Sequence, residues 1–172
     1  VYAQYERVDD PEEEEEVYLL WINYLYEDDT QAAVPNIQTL RALESYSVVS
    51  PDGAATVGFY PDPAVVSGII TENTTVDVIY RPRTDTMYIV KHMLQDVSNP
   101  SLYTERLADR EVYYAPTGST TTAAANTYTG FSNLPFNNVA VAGDGSTVIE
   151  IRYDRNEYTV TFNSNGGTYV ET

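Results

Sequence analysis

The sequence predicts a mainly β chain of tandem small modules, and three observations carry that expectation. Short runs with an apolar face of period two recur along the chain. Turn-forming residues punctuate them. The same strand pattern also returns at a nearly constant spacing, which makes internal repetition the first thing to read.

Three segments carry the repetition: Val1-Tyr2-Ala3-Gln4-Tyr5-Glu6-Arg7, Val76-Asp77-Val78-Ile79-Tyr80-Arg81 and Val148-Ile149-Glu150-Ile151-Arg152-Tyr153. Val76, Val78 and Tyr80 share one face, as do Ile149, Ile151 and Tyr153. Tyr5, Tyr80 and Tyr153 recur 75 and 73 residues apart. A polar connector and a second strand follow each segment, over Val17 to Tyr26, Met87 to Leu94 and Glu157 to Phe162. Tyr18, Tyr88 and Tyr158 lie 70 residues apart in both steps, a second marker of the same period.

The turns before the later strands align too. Glu72-Asn73-Thr74-Thr75-Val76 matches Asp144-Gly145-Ser146-Thr147-Val148, with Asn73 and Gly145 both expected in the left-handed conformation. Val65 to Ile70 is the strand entering the first turn, and Asn138 to Ala142 its counterpart in the second. Asn73-Thr74-Thr75 also fits a glycosylation sequon, here read as a turn.

These markers divide the chain. Residues 1–7 are the closing strand of a preceding repeat and 8–16 an acidic, solvated linker. Residues 17–81 and 86–154 are two complete modules joined by a hinge at 82–85. Residues 155–172 are the opening strand of a following repeat, so the chain reads as a piece of a longer protein. The best helix candidate is Ile37 to Ser45, where Ile37, Leu40, Arg41 and Glu44 fall at helical spacing; its presence would make the fold α+β.

Composition excludes several function classes. The chain has 172 residues, 26 acidic against 9 basic, and a formal charge of −17. That charge repels nucleic acid and anionic membrane surfaces. No stretch approaches the roughly 20 apolar residues of a membrane span. Cysteine is absent, and tyrosine dominates the aromatics, 16 against 4 Phe and 1 Trp. Tyrosine suits half-buried strand positions, where the ring packs and the hydroxyl stays wet.

Tyr158-Thr159-Val160-Thr161-Phe162-Asn163-Ser164-Asn165-Gly166-Gly167 resembles the opening of the Listeria–Bacteroides repeat, the internalin B-repeat, and Val1 to Tyr5 is similar to its closing strand. The middle resembles MucBP-like (mucin-binding protein) modules. One copy lies in Ser67 to Ile70 with Thr75 to Tyr80, the other in Val90 to Asp96 with Asp144 to Ile149 and Tyr153 to Arg155. Residues 27–60 depart from the pattern. The resemblance implies β-grasp, ubiquitin-like modules in an elongated array on a Gram-positive cell wall. It implies adhesion or spacing, host mucin or glycoprotein as partner, and no catalytic residue.

The candidate site residues follow from side-chain chemistry. Trp21, Tyr24 and Tyr26 form an aromatic stripe that either stacks on carbohydrate or finishes a core, and Tyr113 and Tyr114, like Tyr128, carry the same two readings. Carboxylates are abundant, but no cluster meets the criteria of a catalytic cleft, so the expectation is a chain that binds or spaces. His92, the only histidine, has no histidine or cysteine partner for a metal and reads as a packed core residue. Calcium is the one cofactor the composition admits, through Asp9, Asp10, Glu12, Asp28, Asp29, Asp144 and Asp154, without EF-hand spacing. Lys91, the only lysine, reads as exposed rather than as an isopeptide donor. Other expected partners are neighbouring repeats of the same chain and a second copy, met head to tail when Val1 to Glu6 and Tyr158 to Phe162 pair with edge strands.

Overall fold

A computed structural model describes residues 15–53, 56–163 and 165–167. The chain is mainly β and divides into two compact units between Arg83 and Thr84. Residues 1–14, which contain the expected closing strand and most of the acidic linker, lie outside the described residues.

The first unit has six strands: β1 (Val17–Tyr26), β2 (Gln31–Arg41), β3 (Ser45–Val49), β4 (Phe59–Asp62), β5 (Val65–Ile69) and β6 (Thr74–Pro82). Four form a sheet in the order β2-β1-β6-β4, with β1 and β6 parallel at its centre. β3 and β5 pair antiparallel as a separate ribbon. Period two explains the packing. Leu20, Ile22 and Tyr24 of β1 and Val78 and Tyr80 of β6 turn to one face and are buried. Val66 of β5 and Ile70 join the same cluster, so the ribbon contributes to the core.

The β1–β2 turn is set by Asp28, whose Oδ1 accepts from the Thr30 amide at 3.1 Å and hydroxyl at 2.6 Å, with Asp29 at φ 63°. The helix expected over Ile37 to Ser45 does not form. Ile37 to Arg41 complete β2, opposite Trp21 to Val17, and Leu43 turns the chain at φ 67° into β3. The ladder wins because it satisfies the edge of β1 and still presents Leu40 to the core, which a helix of two turns does not.

The second unit contains β7 (Thr86–Gln95), β8 (Tyr103–Glu105), a 3-10 turn at Leu107–Asp109, β9 (Glu111–Ala115), β10 (Phe131–Asn133) and β11 (Val148–Arg155). β7 and β11 are parallel at the centre; β10 flanks β11, while β8 and β9 share the far edge of β7. Tyr88, Val90, Ile149, Ile151 and Tyr153 form the core with Ala123 and Val141.

The register shifts the expected alignment of the two units. Tyr80 lies opposite Tyr26, and Tyr153 opposite Leu94. Aligning the two closing tyrosines therefore matches Tyr88 with Leu20, two positions on from Tyr18 and on the same face. The turns are less alike than expected. Gly145 has φ 72°, but Asn73 is absent from the left-handed residues; its Oδ1 accepts from the Leu19 amide at 2.8 Å instead. Asn138 to Ala142 makes one bridge, Thr120 to Ala140, rather than a strand. There Asn138 Oδ1 accepts from the Ala123 amide at 2.8 Å and the Thr121 hydroxyl at 3.0 Å, so side-chain bonds supplement the few backbone bonds that join 118–121 to 139–141. Glu157 to Phe162, expected as an opening strand, joins no sheet among the described residues and exposes Tyr158, Val160 and Phe162. A strand pattern without a partner strand has no ladder to make.

The faces of β11 generate a test. Ile151 is fully buried, while the Arg152 side chain is 55% exposed. Ile151→Asp unfolds the second unit, at a cost of several kcal/mol, because it buries an unpaired carboxylate. Arg152→Asp changes the midpoint little. Chemical denaturation followed by circular dichroism checks the contrast, and equal losses at both positions contradict the register.

Candidate binding surface

Within neither unit do the aromatics expected to bind share one face, and the alternation of each strand is the reason. On β1, Tyr24 points inward and is 2% exposed, with its ring 6.4 Å from that of Tyr80. Tyr26 packs edge-on against Phe59 at 4.8 Å, half-buried beside the same core. Trp21 alone faces outward, 39% exposed. On β9 the neighbours Tyr113 and Tyr114 point to opposite faces. Tyr113 stacks on Tyr88 at 5.4 Å, while Tyr114, opposite Met87, is 66% exposed.

The outer face of the first sheet is therefore the best-defined surface. Trp21 sits opposite Ile37 on β2 and Thr75 on β6. Its Nε1–H donates to Asn23 Oδ1 at 2.7 Å, and Asn23 Nδ2 donates to Asp77 Oδ1 at 2.8 Å. On the second unit, a shallow 440 Å³ groove runs along the outer face of β11, between Val148, Glu150 and Arg152 and the segment Leu134, Pro135, Phe136 and Val139. Lys91 stands opposite Glu150 on that same sheet, partly covered.

The second unit also buries a polar cluster whose partners sequence reasoning missed. His92 is fully buried. Its Nδ1 lies 2.7 Å from the Tyr153 hydroxyl and its Nε2 3.2 Å from Asn126 Nδ2. The Asn126 amide donates to the same Tyr153 oxygen at 2.8 Å. Tyr153 Oη thus accepts a backbone proton while it shares one with the imidazole. Glu111 lies 3.8 Å from Nε2. Around them, the Tyr128 hydroxyl donates to Asp109 at 2.7 Å, and Arg106 bonds the same carboxylate at 2.7 Å. The Tyr128 hydroxyl, more than the Arg106 charge, holds the Asp109 carboxyl below its ordinary range. Every buried side-chain N or O among the described residues has a partner. The arrangement fits a packed core histidine and a loop anchor, since Asn126 belongs to the long connection between β9 and β10.

Three of the acidic residues considered for calcium, Asp28, Asp144 and Asp154, already accept hydrogen bonds from neighbouring groups. Asp144 Oδ1 accepts from Ser146 through amide and hydroxyl, as Asp28 does from Thr30. Asp154 accepts from the Tyr103 hydroxyl at 2.6 Å. No group of three or more metal-ligating side chains gathers among the described residues; Asp9, Asp10 and Glu12 fall outside them.

Two tests follow from the buried hydroxyls. Tyr153→Phe leaves the Asn126 amide and His92 Nδ1 without their shared partner, so it lowers stability by about 1–3 kcal/mol, measured by urea denaturation. Burial pushes the phenols of Tyr80 and Tyr128 up to about 12, with the Tyr24 phenol beside the first and Asp109 beside the second adding to it. A folded pKa above the unfolded value near 10 means both units keep this stabilisation below pH 10 and lose it as pH rises towards 12. An absorbance titration of tyrosinate then shows these two phenols ionising together with loss of the β signal; their ionisation near pH 10 in a folded chain contradicts the packing.

No family model matches the chain, and no curated protein matches it. Among solved structures it is similar to one titled The Bacillus anthracis TIE protein, at 14% sequence identity and a TM-score of 0.41. The match covers 81% of this chain and spans 34% of that one.

Proposed function

We propose that the chain is a repeat segment of a bacterial cell-surface adhesin, composed of tandem β-grasp-like modules that attach to host mucin or glycoprotein outside the cell. One observation carries the reading most. Both units place an opening and a closing strand parallel and adjacent at the sheet centre, with a tyrosine of the closing strand buried at equivalent register. Two units with one central plan, joined at a few residues, are what a repeat segment needs. The acidic surface and absence of cysteine fit an exposed module that relies on its cores alone. The side chains described support binding or spacing rather than catalysis, since the buried cluster around His92 is enclosed by its own partners.

A second reading, a spacer that presents a distal domain, is favoured by the burial of Tyr24 and the packing of half-buried Tyr26 against the core, which removes most of the expected aromatic stripe. Immobilised mucin separates the two. The adhesin reading expects saturable binding of the folded chain, measured by surface plasmon resonance, and loss of binding when the mucin is deglycosylated. A folded chain that shows no response to mucin or to host extracellular glycoprotein leaves only the spacer.

A further inference from the structure

The row Trp21-Asn23-Asp77 on the outer face of the first sheet has no part in the core. Trp21 and Asn23 lie two apart on β1, and Asn23 faces Asp77 in the parallel ladder, so two strands hold the row at fixed spacing. The Trp21 N–H is committed to Asn23, and Asn23 in turn to Asp77. The indole is thereby held at its N–H by a hydrogen-bond relay, with part of the ring left exposed. A ring that only covers neighbouring Ile37 needs no such relay. Asn23 retains a second amide proton and Asp77 a second carboxylate oxygen, and no other hydrogen bond to either is made among the described residues.

We propose that Trp21, Asn23 and Asp77 form a binding site for a neutral saccharide. The assignment deepens the adhesin reading and rests on it. A pyranose has one face of C–H groups and a rim of hydroxyls. The C–H face packs on the indole, and the rim hydroxyls donate to Asp77 and accept from Asn23. Hydrogen bonds to the ionised Asp77 carboxylate are the stronger ones, and they need a donor that carries no negative charge. The same carboxylate, on a chain of net charge −17, rejects sialylated or sulfated sugars. Thr75 and Ile37 flank the ring without closing a pocket, so single-site affinity is low, and repetition of such segments supplies the avidity.

Trp21 is the only tryptophan in the chain, so its fluorescence reports this site alone. The intact chain is titrated with galactose, N-acetylglucosamine, lactose, N-acetyllactosamine and fucosyllactose, and with sialyllactose as the anionic counterpart. The expected result is a saturable change in tryptophan emission, and protection from acrylamide quenching, with at least one neutral sugar and not with sialyllactose. Asp77→Ala and Asn23→Ala, which retain the reporter, weaken that response about tenfold or more. Circular dichroism verifies that each variant is folded, and Trp21→Phe, read by isothermal titration, keeps partial binding. Emission unchanged by every neutral sugar overturns the site, as does a response that both alanine variants retain. Mucin binding that persists undiminished in Trp21→Ala also overturns the site while leaving the adhesin reading intact. A sugar response without mucin binding upholds the site and sinks the adhesin reading.

Discussion

Two parallel strands side by side cannot be joined by a tight turn, and that constraint organises both units. β1 pairs parallel with β6, and β7 with β11, so each pair requires a long crossover. In the first unit the crossover is made of strands: β2, the β3–β5 ribbon and β4 fill the chain between Tyr26 and Thr74. In the second, much of the chain between Ala115 and Val148 lacks strand and is held by a few backbone bonds, such as Thr121 to Val139, together with the side chains of Asn138 and Thr121. The same central pair is thus closed by two different economies of hydrogen bonding. Ladder bonds serve where the sequence is β-branched, as in Ser45 to Val49 facing Val65 to Ile69. Threonine and asparagine side chains serve where it is Thr- and Ala-rich, as in residues 119–126.

The closing tyrosine is where each pair meets its crossover. Its ring belongs to the core, and its hydroxyl, once buried, must find a partner or cost about 1–3 kcal/mol. Tyr80 donates to the carbonyl of Pro51, beyond β3. Tyr153 takes the Asn126 amide and shares a proton with His92. In both units the hydroxyl therefore pins a loop that strand pairing does not reach. By register, His92 occupies in the second unit the place that Tyr24 holds in the first, since Ile151 faces His92 and Val78 faces Tyr24. A hydrocarbon-rich ring serves where the loop is tied by one carbonyl. An imidazole serves where the tyrosine also has a backbone donor to accommodate.

Much of this was legible in the sequence, and the limits have a physical cause. Period two placed Val78, Tyr80, Ile151 and Tyr153 inside and Asp77 and Arg152 outside, because alternation is a property of the strand itself. The strand spans Val17 to Tyr26 and Met87 to Leu94 followed from the same rule. What failed required knowledge of partners. Ile37 to Ser45 has helical spacing, but β1 offered a ladder that local spacing does not reveal. Asn73 has the composition of a left-handed turn residue, yet its side chain caps a strand 54 positions away. The His92 cluster draws on Asn126, Tyr128 and Tyr153, which no spacing rule connects.

The same alternation decides which aromatics remain for binding. The expected stripe Trp21, Tyr24, Tyr26 mixes an odd position with two even ones, and a strand sends those to opposite faces. Tyr113 and Tyr114 split for the same reason. A surface for a ligand on such a sheet must therefore be assembled across strands at matched register rather than along one strand. In the first unit that rule selects Trp21, Asn23 and Asp77, joined by the β1–β6 ladder. At the equivalent places of the second unit the register puts Ile89, Lys91 and Glu150. That row has no aromatic ring and sets a cation opposite the carboxylate. The two units share a core plan while their outer faces differ in chemistry, because alternation ties the inward residues to packing and leaves the outward ones unconstrained by it.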